Sequence, residues 1–109
     1  MALVHAAPGK KIHLAELASM SADAKTSALV KTDRFEAVHL VLRSGTNIST
    51  HAVDGYVMLL CLEGAVLLES STSVKLCSGD WIYLDRGEQH SLSATEDSSL
   101  LLTILFERR

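Results

Sequence analysis

Turn-forming residues interrupt this chain at short intervals from its middle onward: Gly45, Asp54-Gly55, Glu63-Gly64, Ser70 to Ser73, Ser78-Gly79-Asp80, Arg86-Gly87 and Glu96-Asp97-Ser98. Glycine supplies positive φ at such places, and short polar side chains fold back onto their own backbone. The segments between the breaks have the length of strands, and the one proline, Pro8, lies outside all of them. Upstream, Ser27 to Lys31 and Phe35 to Arg43 read the same way, and Val38, Leu40 and Leu42 share one face of the second by a period of two. Many short strands with no long amphipathic helix between them predict an all-β antiparallel sandwich or barrel rather than βαβ units. Residues 1–25, rich in Ala and Ser, read as an irregular N-terminal arm with a short helical turn around Leu14 to Met20; residues 26–109 read as the barrel domain.

Composition narrows the partners. A chain of 109 residues is one domain, which on folding buries roughly two thirds of the surface its unfolded chain exposes. Its hydrophobic content of 48% and mean hydropathy of +0.23 exceed what a monomer of this size readily hides, and predict a homodimer. The formal net charge is -3 and the Lys and Arg residues are scattered, with no basic stripe interleaved with aromatics, which excludes a nucleic-acid partner. The longest apolar runs, Val57 to Leu62 and Leu100 to Phe106, are far short of a membrane span. Ala2-Leu3-Val4 is interrupted by His5, Pro8, Lys10 and Lys11 before a signal-peptide core can form, so the expected location is the cytoplasm. Cys61, inside an apolar strand, and Cys77, just before a turn, are expected to be reduced and structural.

Two glycine-bounded stretches carry the chemistry. In the first, Gly45 is followed six residues later by His51, and an apolar strand then runs into Glu63-Gly64. In the second, Gly79 opens a strand through Trp81, Ile82, Tyr83 and Leu84 that ends, past Gly87, at His90. Together they resemble the paired motifs of the cupin superfamily. Gly45, His51 and Gly64 fall in register with the first motif; Gly79, Gly87 and His90 fit the second, with Asp85 in its Pro place and Ala94 in its Asn place. The stretch from Ser91 to Thr103 also looks like a subgroup of short single-domain cupins, and the resemblance covers roughly Val30 to Phe106. It implies a double-stranded β-helix, or small jelly roll, enclosing one pocket.

The departures from the family pattern bear on function. The second motif histidine falls on Val53 and the motif glutamate on Val57, so two family ligand positions are aliphatic. Non-heme iron on such a scaffold typically takes two histidines and a carboxylate. His51 and His90 are the remaining candidate metal ligands, and His39 is a third if its strand lies beside the pocket. The implied cofactor is either none or a weakly held divalent metal: Fe, Mn, Ni or Zn. Asp54 is an oxygen donor whose parity with Val53 points it away, in an Asp-Gly turn. If His51 faces inward, Val53, Val57, Leu59 and Cys61 do so too, leaving Met58, Leu60 and Leu62 on an outer face that needs a cover. Trp81 and Tyr83 share one face of their strand as core or interface anchors.

Three functions fit. The first is a pocket of His51, Val53, Val57, Leu59 and His90 that binds a small organic molecule, the imidazoles orienting a carboxylate, enol or carbonyl. The second is a metal-dependent enzyme of dioxygenase, isomerase or decarboxylase type with a reduced ligand set. The third is a non-catalytic structural or regulatory homodimer whose barrel is filled by its own side chains. No Ser-His-Asp ordering, phosphate-cradling glycine loop or poised carboxylate pair is present.

Overall fold

The computed structural model describes residues 6–19 and 24–107, with the backbone alone at residues 50 and 51. A short helix, α1 (Leu14–Ala18), precedes nine strands: β1 (Ser27–Lys31), β2 (Phe35–Leu42), β3 (Asn47–His51), β4 (Gly55–Glu63), β5 (Ala65–Glu69), β6 (Ser73–Cys77), β7 (Trp81–Leu84), β8 (His90–Ala94) and β9 (Ser98–Phe106). They form a five-stranded sheet in the order β1-β2-β9-β4-β7 and a four-stranded sheet in the order β3-β8-β5-β6, antiparallel throughout. This is the all-β antiparallel sandwich expected from the turn spacing, in the jelly-roll form that the family resemblance implied. The helical turn expected to reach Met20 ends at Ala18, and Met20 lies outside the described residues.

Strand parity places the core. Along β4, Val57, Leu59 and Cys61 are buried and alternate with half-buried Tyr56, Met58, Leu60 and Leu62. Their partners on β9 are Ile104, Leu102 and Leu100, which face inward with them. From the other sheet, Val66, Leu68, Leu76, Leu92 and Ala94 meet this row. Cys61, Val66, Leu68 and Leu100 are essentially without solvent contact, so this end of the interior is closed by packing alone.

Two glycines are required by close approach. At Gly55, where β4 begins, a Cβ would run into the Leu105 and Phe106 backbone of β9. The sequence reads Asp54-Gly55 as a turn; its glycine is instead demanded by strand contact, with ordinary negative-side backbone geometry. Gly64 has φ +93 and sits against the Asp97 carbonyl and Ser98, where a side chain would be both strained and crowded. Beside it, buried Ser98 Oγ accepts from Ala65 N–H at 3.0 Å and donates to the Glu96 carbonyl at 2.8 Å.

α1 is far too short to be stable alone. It lies against β4 and β9, with Leu17 buried. Its anchor is Ser99 on β9, whose hydroxyl donates to the Leu17 carbonyl at 2.7 Å. No described helix is long and apolar enough to cross a membrane.

Candidate functional site

The other end of the interior is open. A cavity of about 80 Å³ lies between the sheets there, lined by Leu40, Val57, Leu59, Leu102 and Ile104 from the five-stranded sheet. Ile48, Leu92 and His90 line it from the four-stranded sheet, and Val53 from the loop that joins β3 to β4. His90 is the only polar side chain in this wall among the described residues. Val53, Val57, Leu59 and His90 were expected at a pocket from the sequence, and all four line this one. The contributions of Leu40, Ile48, Leu92, Leu102 and Ile104 were not readable, because they depend on which strands become neighbours in the two sheets.

His90 is 5% exposed and is held by a braced loop. After β7, Asp85 Oδ1 accepts from Arg86 N–H at 2.9 Å, Glu88 N–H donates to the Asp85 carbonyl at 3.1 Å, and Glu88 Oε1 accepts from Asp85 N–H at 3.2 Å. Gly87 turns the chain at φ +73 and its N–H donates to the Val53 carbonyl at 3.3 Å, joining the loop to the segment before β4. His90 Nδ1 then lies 3.1 Å from the Glu88 carbonyl, which can only accept, so Nδ1 carries the proton. In the neutral ring Nε2 is therefore the acceptor nitrogen. Asp85, in the Pro place of the family motif, thus supplies by side-chain hydrogen bonds a turn that proline fixes by its ring.

His51 ends β3, and its backbone pairs directly with that of His90 on β8 across a register shift between Ile48 and His51. The fold therefore brings the two motif histidines to facing positions in neighbouring strands. His39 goes elsewhere. Its strand does border the cavity through Leu40, but His39 stands on the opposite face of β2, with its Nε2 2.6 Å from Ser99 Oγ. Because that hydroxyl spends its proton on Leu17, the imidazole is the donor, and His39 tethers α1 to the outside of the sheet. Burial holds its pKa below the ordinary value of 6.5, against the opposing pull of the Leu17 carbonyl. As a third metal ligand His39 is thus misplaced by strand parity.

Asp54 lines a shallow surface depression with Arg86, Gly87 and Glu107, next to Val53 in the chain. There Arg86 and Glu107 form an ion pair at 2.6 Å with both side chains substantially exposed, a pairing of small energetic weight. Cys61 sits in the closed end of the core, and burial raises its thiol pKa, which keeps it protonated and inert. Cys77 is exposed, and neither cysteine is bridged.

The residues present do not suit a resident divalent metal. Even with His51 counted beside His90, the family positions of the other two ligands are Val53 and Val57, and both aliphatic side chains form cavity wall. Among the described residues no three His, Cys, Asp or Glu side chains converge as a ligand group. A dication there would lack the carboxylate that neutralises it.

The sequence matches no family model and no curated protein. The fold has many likenesses among solved structures. A conserved protein of unknown function from Streptococcus pyogenes superposes with TM-score 0.82 at 20% identity, over 100% of this chain and 98% of that one. A cupin superfamily protein from Desulfitobacterium hafniense does so with TM-score 0.81 at 17% identity, over 98% of this chain and 100% of that one. A salicylate 1,2-dioxygenase from Pseudaminobacter salicylatoxidans matches with TM-score 0.62 at 24% identity, over 65% of this chain but only 21% of its own length.

Proposed function

On the cupin fold that these likenesses establish, we propose that the cavity beside His90 is a metal-independent binding site for a short-chain organic acid or carbonyl compound. The supporting observation is the wall itself: apolar throughout except for one braced imidazole. Such a site gains affinity from apolar burial and takes orientation from its few polar groups. An apolar cavity of roughly 150 Å³ accepts benzene, so one of about 80 Å³ admits an alkyl or acyl group of about three or four heavy atoms. The ligand's oxygen pairs with His90. Neutral Nε2 accepts from an acid or enol O–H, and the protonated ring donates to a carboxylate. Likeness to a dioxygenase carries no reaction to this chain, since one fold hosts many chemistries. The two unbridged cysteines support a reducing, cytoplasmic setting.

The test is a methyl NMR titration in the presence of EDTA with short-chain carboxylates and ketones. Saturable shifts of the Val53, Val57 and Leu59 methyls are expected, with affinity falling about 10- to 100-fold in His90→Leu, as loss of one hydrogen bond to a charged group requires. No saturable shift at tens of millimolar ligand, or affinity unchanged by His90→Leu, overturns the proposal.

A further inference from the structure

The cavity beside His90 has two levels. The outer one, towards the loops, carries Val53 of the β3–β4 loop, Val57 paired with Ile104, and His90 as the first residue of β8. The inner one, two residues further along β4, β9 and β8, carries Leu59 paired with Leu102 and Leu92 paired with Ile48, and Leu40 of β2 joins it. Behind this level the hollow stops. Leu92 also pairs with Leu68 on β5, and Leu40 with Leu100 on β9, and both of these partners are essentially without solvent contact. Side chains stand nearly perpendicular to a sheet, and two residues of strand span about 7 Å. The imidazole therefore stands at one end of the cavity and a floor of leucines at the other.

We infer that the ligand is an unbranched monocarboxylate seated tail-inward, and that Leu92 and Leu40 limit its tail to about three or four carbons, the number the cavity volume admits. This rests on the binding role proposed above. The oxygen end belongs with His90 at the outer level. A carboxylate at the floor would be stripped of water among leucines, with no donor from any described side chain there, and burying a charge in that way costs far more than apolar contact returns. The same cost rejects a dicarboxylate, whose second charge would lie against Leu92 and Leu40. Length follows from the floor. Each methylene that finds room adds about four-fold in affinity. The first one too many must displace leucines that are backed by the packed side chains of Leu68 and Leu100, and forced overpacking of that kind weakens binding about 10-fold.

The experiment is an NMR titration of the wild-type protein in EDTA with the unbranched acids from acetate to octanoate, and with glutarate as the dicarboxylate counterpart of pentanoate. Affinity should climb about four-fold per carbon to butyrate or pentanoate and then fall about 10-fold over the next two carbons. Glutarate should bind more than about 100-fold more weakly than pentanoate. In the bound acid, the terminal methyl should show nuclear Overhauser contacts to the methyls of Leu92 and Leu40, and none to Val53. Leu92→Ala, checked for a folded spectrum, should lengthen the best acid by two or three carbons. Three results overturn the inference while leaving metal-free binding at His90 standing: affinity that climbs unbroken to octanoate, glutarate bound as well as pentanoate, or a terminal methyl that touches Val53 instead of the leucines. A folded Leu92→Ala protein whose best acid is unchanged overturns it in the same way. No saturable binding of any acid removes the inference and the binding role together. The wild-type series and its contacts decide the matter even if Leu92→Ala does not fold.

Discussion

Along β4 the outward positions read Tyr56, Met58, Leu60 and Leu62; along β6 in the other sheet they read Ser73, Lys75 and Cys77. Across the rest of the four-stranded sheet the outward residues include Ser91 and Ser93 of β8, Asn47 of β3 and Glu69 of β5. Inward, the sheets cannot be told apart: Leu40, Val57, Leu59 and Leu100 on one side meet Val66, Leu68, Leu76 and Leu92 on the other. Alternation fixes which residues enter the core, and both sheets obey it equally. What the outward positions carry is free to differ, and that difference separates a face made for water from one that needs a cover.

The equivalence of the two inner faces is the easiest part to break. Leu68→Ala and Leu100→Ala, one from each sheet in the closed end, should each lower unfolding free energy by about 2–5 kcal/mol. Urea denaturation would measure both; a loss under 1 kcal/mol in either would mean that this end of the barrel is looser than described. Ser99→Ala sharpens the outer side. It removes the one buried hydroxyl that joins His39 to the Leu17 carbonyl, and should cost about 1–3 kcal/mol while leaving the cavity's ligand affinity unchanged.

The same tether makes the apolar face sensitive to acid. The folded His39 pKa lies below its unfolded value of 6.5 because burial disfavours the charged ring. The unfolded chain therefore takes up the proton first, so this contribution to stability is present above pH 6.5 and is lost as pH falls below it. Urea midpoints at pH 7.5 and 5.5 should drop for the wild type and drop less for His39→Gln; equal drops would remove His39 from the account. The smallest effect belongs to the polar sheet, where Ser93→Lys should change stability by no more than about 0.5 kcal/mol and leave the sedimentation coefficient unaltered.

Much of this fold was legible because alternation and turn residues are local signals. Val38, Leu40 and Leu42 set the parity of β2, and that parity already put His39 with Ala37 and Val41 on the other face. The bounds of β1 and the inward row Val57, Leu59, Cys61 follow from the same rule. The cavity was half legible. Val53, Val57 and His90 came from family register and Leu59 from strand parity, whereas Leu40, Ile48, Leu92, Leu102 and Ile104 depend on which strands become neighbours across long stretches of chain. Sequence left open whether the interior is filled or hollow; it is both, because Cys61, Val66, Leu68 and Leu100 fill one end and their counterparts at the other end stop short. The break read at Asp54-Gly55 is there, with Gly55 N–H donating to the Val53 carbonyl at 2.9 Å, but contact with the β9 backbone, which sequence does not show, is what requires glycine.

The central claim is that the cavity binds its ligand without a metal, and elemental analysis tests it most directly. Protein purified without chelator should be incubated with Fe, Mn, Ni or Zn and desalted, for the wild type and His90→Ala together. Metal far below one per chain, equal in the two proteins, is the predicted result. Near-stoichiometric metal in the wild type that disappears in His90→Ala would contradict the account and restore a metal centre to the facing histidines of β3 and β8.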